Sequence, residues 1–123
     1  MSFAVSEADL GTPESRWSAL HLERLPALEV GPPGRAVVVA PHPDDEVLGV
    51  GGTMRLLDGL GWSVEVVAVT DGEGSHPHHL PAAVASRRRA EVDDALDRLG
   101  LGGVPVRRLG LADGGGPGPG AAG

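Results

Sequence analysis

The chain has 123 residues, of which 41% are hydrophobic, and this size and composition fit one small domain with its own core. Its formal net charge of -7 and its content of one phenylalanine and two tryptophans argue against nucleic acid or an anionic membrane as a partner. The absence of cysteine excludes disulfides, thiolate metal ligands and cysteine nucleophiles, so a metal site would have to use histidine, aspartate or glutamate.

The sequence divides into three parts. Residues 1–34 are expected to form an extension that ends in the turn sequence GPPG, residues 35–113 the core, and residues 114–123 a disordered Gly/Pro-rich tail. The N-terminus lacks the regions of a signal peptide, and no apolar run approaches the ~18 residues of a membrane span. We therefore expect a cytoplasmic protein without a membrane partner, whose oligomeric state the sequence leaves open.

Strands and helices are predicted to alternate in the core. Strands are expected at residues 35–40, 62–70 and 104–111, and helices at residues 47–60 and 82–99. The β-branched run of the first strand is typical of a strand buried on both faces of a parallel sheet. The βαβαβ order predicts an α/β, Rossmann-like fold in which right-handed crossovers join three parallel strands.

Each predicted helix has residues that share one face, and in the second helix this is the predicted inner face. Three residues of the first helix share one face, and six residues of the second recur at spacings of three and four. The first set is Leu48, Gly52 and Leu56, and the second is Val84, Arg88, Val92, Ala95, Leu96 and Leu99. Arg88 stands out because a surface arginine does not normally occupy an apolar face, so it either contacts a ligand or extends from the helix end to solvent.

Acidic side chains and one histidine follow the carboxyl ends of the predicted strands, where open parallel sheets bind ligands. They are His42, Asp44 and Asp45 after the first strand, Asp71 and Glu73 after the second, and Asp113 after the third. Imidazole and carboxylate without thiolate suit zinc or another divalent metal. A cation would also relieve the repulsion among adjacent acids, whereas the alternative is a solvated acidic helix N-terminus.

The spacing within the motif PHPDDE (residues 41–46) indicates two roles for its side chains, metal ligand and proton acceptor. His42 and Asp45 are three residues apart across a loop-to-helix turn, so both can reach one ion. The side chain of Asp44 points in a different direction from those of His42 and Asp45 and could stay off the metal. A carboxylate beside a metal can remove a proton from the water that the metal activates. The motif therefore predicts a metal-dependent hydrolytic site.

PHPDDE resembles the signature of the PIG-L/LmbE-like zinc N-deacetylases. The resemblance continues through TDGEGSHP (residues 70–77), RRAEVDDALDRLGL (residues 88–101) and LGLADG (residues 109–114). It implies zinc-dependent removal of an acetyl group from a small N-acetylated sugar conjugate of the N-acetylglucosamine type, or from a related amide. By the same resemblance His42 and Asp45 are zinc ligands, Asp44 is the general base, and Arg88 and Asp113 contact the substrate.

The sequence departs from this family in length. Family members are longer and take a third zinc ligand, a histidine, from a later segment, so the core is expected to be incomplete and the chain truncated. His76, His78 or His79 could substitute as that ligand, or could belong to a loop above the site.

Two other functions remain open. One is a non-catalytic remnant that binds metal or sugar, or that needs a second polypeptide to complete its site. The other is a nucleotide-binding module, suggested by GVGGT (residues 49–53), but the acids at that helix N-terminus would repel phosphate.

Overall fold

The computed structural model describes residues 11–75 and 78–114, and the chain divides into two compact units, Met1–Gly31 and Pro32–Gly123. The first unit contains a short helix, α1 (Glu14–Ala19), and a 3-10 turn at Leu22–Arg24. The first ten residues of the predicted extension, His76, and residues 115–123 of the predicted tail lie outside the described residues. In the described ranges, no helix is long and apolar enough to cross a membrane.

The second unit has the predicted βαβαβ order. Its elements are β1 (Arg35–Ala40), α2 (Asp45–Gly59), β2 (Ser63–Thr70), α3 (Pro81–Arg98) and β3 (Val106–Leu111). The three strands form one parallel sheet in the order β1-β2-β3. The predicted α/β fold class is therefore confirmed.

The ends of α3 follow from local sequence. Pro81 occupies the first turn, where its fixed φ suits the helix and its missing N–H costs no internal hydrogen bond. Gly100 follows the helix with a φ of 73°, a left-handed conformation that glycine adopts without steric cost. The N–H of Leu101 then donates to the carbonyl of Leu96 at 2.8 Å, which closes the helix end.

The hydrophobic core lies on one face of the sheet. Both α2 and α3 cover this face. Because successive side chains of a strand point to opposite faces, alternate residues of the strands enter the core, where they are shielded from water. Its buried members are Ala40, Met54, Val64, Val66, Val92, Leu96 and Leu101. Val92 and Leu96 belong to the inner face predicted for α3, and Leu99 packs partly buried against the same cluster.

The prediction that β1 is buried on both faces is wrong. Ala40 is buried, whereas Val37 and Val39 are 48% and 62% exposed. Because α2 and α3 pack on the same face of the sheet, only alternate residues of β1 reach the core. A run of valines is thus compatible with a strand that has one covered face.

The residues predicted to share one face of α2 do not form its buried side. Leu48 and Leu56 are 81% and 58% exposed, and Gly52 is exposed as well. The buried positions of this helix are instead Glu46, Gly51 and Met54. The backbone leaves helical geometry at Val50, with φ -139° and ψ 18°, and this kink breaks the periodicity on which the prediction depended.

Candidate active site at the carboxyl edge of the sheet

The segment that carries the PHPDDE motif is anchored at the end of β1. The backbone N–H and the side-chain hydroxyl of Thr70, at the end of β2, both donate to the carbonyl of Pro41, at 3.2 and 2.9 Å. Asp44 then adopts a left-handed conformation with φ 84°, uncommon for a residue other than glycine. Its carbonyl accepts the first helical hydrogen bond of α2, from Leu48 at 2.9 Å. The motif therefore turns sharply from strand to helix.

His42 and Asp45 lie against each other across this turn. Oδ2 of Asp45 accepts the backbone N–H of His42 at 2.9 Å and lies 3.6 Å from Nδ1 of the imidazole. Both side chains are about half exposed, at 54% and 45%. The two predicted metal ligands thus point toward the same space rather than apart.

Asp113 reaches the other side of the same imidazole from the end of β3. Its Oδ1 lies 3.2 Å from Nε2 of His42, and its side chain is only 13% exposed. Its Oδ2 accepts the N–H of Gly74 at 3.0 Å, and its own N–H donates to Oε1 of Glu73 at 2.9 Å. That N–H lowers the pKa of Glu73, because it stabilises the ionised carboxylate.

Arg88 extends from the inner face of α3 to the motif. Its Nη2 donates to the carbonyl of Pro43 at 3.1 Å and lies 3.5 Å from Oδ2 of Asp44. The side chain is 18% exposed, so the guanidinium does not extend from the helix end into solvent. Arg88 therefore supports the backbone that presents Asp44.

Gly72 allows this close packing. A Cβ at this position would lie 2.9 Å from Cδ of Pro43 and 3.1 Å from Nη1 of Arg88, and the φ of Gly72 is 66°. Both the contact distances and the backbone conformation disfavour a side chain here.

A cavity of about 460 Å³ opens beside these groups. It is lined by His42, Gly74, Ser75, Arg88, Asp113 and Gly114. Three of the five residues predicted for the site line it directly, while Asp44 and Asp45 contact members of that lining. The structure thus brings all five predicted residues together, and their chemical roles stay predictions.

Two carboxylates contribute in ways that the sequence analysis missed. Glu46, the last residue of the motif, is 2% exposed, and its Oε1 has no hydrogen-bond partner among the described residues. Burial is the main cause of the raised pKa of this carboxyl, because it penalises the ionised form. Glu73 was noted as an acid after β2, but its bond to the backbone of Asp113 depends on how β2 and β3 pair.

The two predicted metal ligands, His42 and Asp45, are residue types that zinc accepts. The 3.6 Å between Nδ1 of His42 and Oδ2 of Asp45 is close to the ~3.3 Å separating two ligands of a tetrahedral zinc with bonds of about 2.0–2.1 Å. Among residues 11–75 and 78–114, however, no group of three or more His, Asp or Glu side chains is arranged to hold a metal. His78 and His79 therefore join no such group, and His76 lies outside the described residues.

Comparisons with known proteins agree with this architecture. Residues 37–119 match the model of the PIG-L family, described as GlcNAc-PI de-N-acetylase. A curated relative from Bacillus cereus, named as a probable N-acetyl-alpha-D-glucosaminyl L-malate deacetylase 2, is 34% identical over 82 residues, which are 63% of this chain and 36% of the relative.

Solved structures resemble the chain as well. The N,N'-diacetylchitobiose deacetylase of Pyrococcus horikoshii matches with a TM-score of 0.60 and 30% identity, over 68% of this chain and 31% of that one. A 4-carboxy-2-hydroxymuconate hydratase of Pseudomonas putida matches with a TM-score of 0.56 and 28% identity, over 65% and 35%. A conserved protein of Thermus thermophilus matches with a TM-score of 0.51 and 39% identity, over 64% of this chain and 33% of that one.

The chain spans about a third of the length of the relatives it matches, 36% of the curated one and 31% of the archaeal structure. The family match itself covers most of this chain and includes every residue predicted for the site. The chain belongs to the PIG-L family.

Proposed function

We propose that the chain carries the catalytic edge of an N-deacetylase acting on a small N-acetylated amino sugar, of the N-acetylglucosamine type, or on a related amide. The observation that supports this best is the convergence of His42, Asp45 and Asp44 at the end of β1, beside a cavity that Arg88 and Asp113 help to line. The names of the Bacillus cereus and Pyrococcus horikoshii relatives point to the same reaction class.

His42 through Nδ1 and Asp45 through Oδ2 are the residues that would hold a zinc ion. Zinc supplies a Lewis acid that polarises an amide carbonyl and makes water more acidic. The donors fit this ion because both are ligand types that zinc accepts and their atoms face one space.

Asp44 is the proposed general base. Its side chain is 59% exposed and is held at 3.5 Å from Arg88, so it projects from the turn without being buried in the fold. The carboxylate would accept a proton from the attacking water and return it to the leaving nitrogen. A carbon–oxygen bond forms, the amide carbon–nitrogen bond breaks, and acetate and a free amine result.

Arg88 and Asp113 are the proposed substrate contacts. Both line the cavity beside His42, and their polar atoms suit sugar hydroxyl groups. Arg88 has a second use, because the hydrogen bond to Pro43 holds the turn in front of the substrate.

A non-catalytic role is the second candidate. It is favoured by the presence of only two assignable ligands in the part of the chain that the structure describes, since a catalytic zinc normally has three protein ligands. In that case the chain binds metal or sugar, or a second polypeptide completes the site.

Release of free amine from N-acetylglucosamine conjugates by the zinc-supplemented chain tests the proposal. We expect release by the wild-type chain and a loss of at least ~100-fold in Asp44→Asn, since general bases contribute about 10²–10⁴-fold. Asp94→Asn, an exposed carboxylate on α3 paired only with Arg98 in the ion pairs described, is the control and should retain the activity. Zinc binding without release would support the non-catalytic role, and equal release by Asp44→Asn would contradict the assignment of the base.

A further inference from the structure

The imidazole of His42 lies between two carboxylates that approach different ring nitrogens. Oδ2 of Asp45 is 3.6 Å from Nδ1, and Oδ1 of Asp113 is 3.2 Å from Nε2. Neither pair forms an aligned hydrogen bond in this structure, but Oδ1 of Asp113 lies nearer to the ring and therefore attracts a ring proton more strongly than Asp45 does. The two carboxylates therefore interact with the ring to different extents.

Asp113 is also the more firmly held of the two carboxylates. Its side chain is 13% exposed, against 45% for Asp45. Its second oxygen accepts the N–H of Gly74, and its backbone N–H is bound to Glu73. These bonds connect Asp113 to the loop after β2 and help to position its carboxylate.

We infer that Asp113 is a positioning residue that accepts the Nε2–H of His42 and so leaves the lone pair of Nδ1 directed toward Asp45. Histidines that bind metals usually donate their second ring N–H to a carboxylate or a carbonyl, which fixes the tautomer and the ring orientation. The inference rests on the proposed function, since Nδ1 is the atom that would hold zinc. This role is additional to any contact of Asp113 with substrate.

The chemistry of a neutral imidazole explains why the carboxylate matters. Only one ring nitrogen carries a proton, and the other offers a lone pair to a metal. Without Asp113, Asp45 is the carboxylate left in an ion pair with the ring among the pairs described, and it would draw the proton to Nδ1. The proton would then occupy the lone pair that a metal needs, and zinc affinity would fall.

The experiment compares the wild-type chain with Asp113→Ala and with the control Asp94→Ala, whose carboxylate pairs with Arg98 on the exposed side of α3. Nitrogen NMR of the metal-free chain, recorded well above the ordinary histidine pKa of about 6.5, reports the tautomer of His42. Titration with zinc alone reports affinity. Circular dichroism establishes that each variant is folded.

We expect the wild-type ring to carry its proton on Nε2, and Asp113→Ala to shift the proton toward Nδ1. We also expect zinc affinity to fall by about 10–100-fold in Asp113→Ala and to stay unchanged in Asp94→Ala. A wild-type ring protonated on Nδ1 would overturn the inference, even if Asp113→Ala does not fold. A folded Asp113→Ala with the tautomer or the zinc affinity of the control would also overturn it.

Failure of the wild-type chain to bind zinc would count against the proposed function. The tautomer in the metal-free chain would still decide the role of Asp113.

Discussion

The backbone N–H of Asp113 donates a 2.9 Å hydrogen bond to Oε1 of Glu73. This bond joins the end of β3 to the loop after β2, and Oδ2 of Asp113 returns to the same loop through the N–H of Gly74. The carboxylate of each residue thus accepts a backbone N–H from the segment that carries the other. Gly74 and Asp113, which these bonds connect, both line the cavity beside His42.

The lowered pKa of Glu73 predicts a loss of stability in acid. Because its pKa is lower in the folded chain than in the unfolded one, its ionised form contributes stability above the ordinary glutamate pKa of about 4.3, and this contribution is lost as the pH falls through the folded value. Urea unfolding of Glu73→Gln should therefore depend less on pH than that of the wild-type chain below about pH 5. Glu91→Gln, an exposed carboxyl on α3, is the control, and an acid dependence unchanged in Glu73→Gln would contradict the prediction.

Gly72→Ala should damage the turn behind Asp44. The added Cβ would lie 2.9 Å from Pro43 and 3.1 Å from Arg88, at a φ of 66° that disfavours alanine. We expect the free energy of unfolding to fall by about 1–3 kcal/mol, as for residues forced into unfavourable backbone regions. Gly59→Ala is the matched control, since a Cβ there meets no atom within 4 Å and Gly59 lies in α2. Equal stabilities of the two variants by urea unfolding would show that the close packing has no energetic weight.

Glu46→Gln should stabilise the metal-free chain at neutral and alkaline pH. Burial raises the pKa of this carboxyl in the folded chain. Protonation of Glu46 therefore contributes stability that is fully present below the ordinary glutamate pKa and is lost as the pH rises through the pKa of the folded chain. Glutamine removes the cost of burying the charge, and we expect a gain of about 1 kcal/mol at pH 8 that shrinks toward pH 4. Unfolding in the presence of a chelator measures it, with Asp58→Asn, an exposed acid of α2, as the control. A gain that is independent of pH would exclude this cause.

Asp71→Asn should destabilise the chain more than Asp94→Asn. Each carboxylate has an oxygen near an arginine nitrogen, at 2.9 Å from Arg89 for Asp71 and at 2.8 Å from Arg98 for Asp94, but the side chain of Asp71 is 11% exposed and that of Asp94 is 62% exposed. Neutralising the largely buried carboxylate of Asp71, whose partner Arg89 is 49% exposed, should cost about 1–3 kcal/mol, while the pair of Asp94 should contribute about 0–0.5 kcal/mol. Thermal unfolding of both variants checks the difference, and similar losses would contradict the role of burial.

Much of the fold could be predicted because its signals are local. The valine-rich runs of β1 and β2 mark strands, and the spacing of Val84, Val92 and Leu96 marks the buried face of α3. The number of layers around the sheet was not predictable in the same way. A run of valines looks the same whether one face or both are covered, so the exposure of Val37 and Val39 was missed.

The site was predictable to the level of its residues but not of their contacts. Strand order alone brings His42, Asp71 and Asp113 to one edge, because the carboxyl ends of parallel strands coincide. The contact of Asp113 with His42 depends on how β3 ends. Ala68 pairs with Arg108 but Thr70 pairs with Leu111, so β3 contains one extra residue near Gly110, whose φ is 65°. Such a bulge redirects the residues that follow it, and no simple pattern in the sequence announces it.

The most direct test of the account is a zinc titration of the wild-type chain beside His42→Ala, Asp45→Ala and the control Asp94→Ala. If His42 and Asp45 hold the ion, the wild-type chain and the control bind zinc with the same affinity. Each of the other two variants should then lose at least ~10-fold in affinity, since a catalytic zinc has only about three protein ligands and each contributes substantially. A wild-type chain that binds no zinc, or a His42→Ala variant that binds it as tightly as the wild type, would contradict the account.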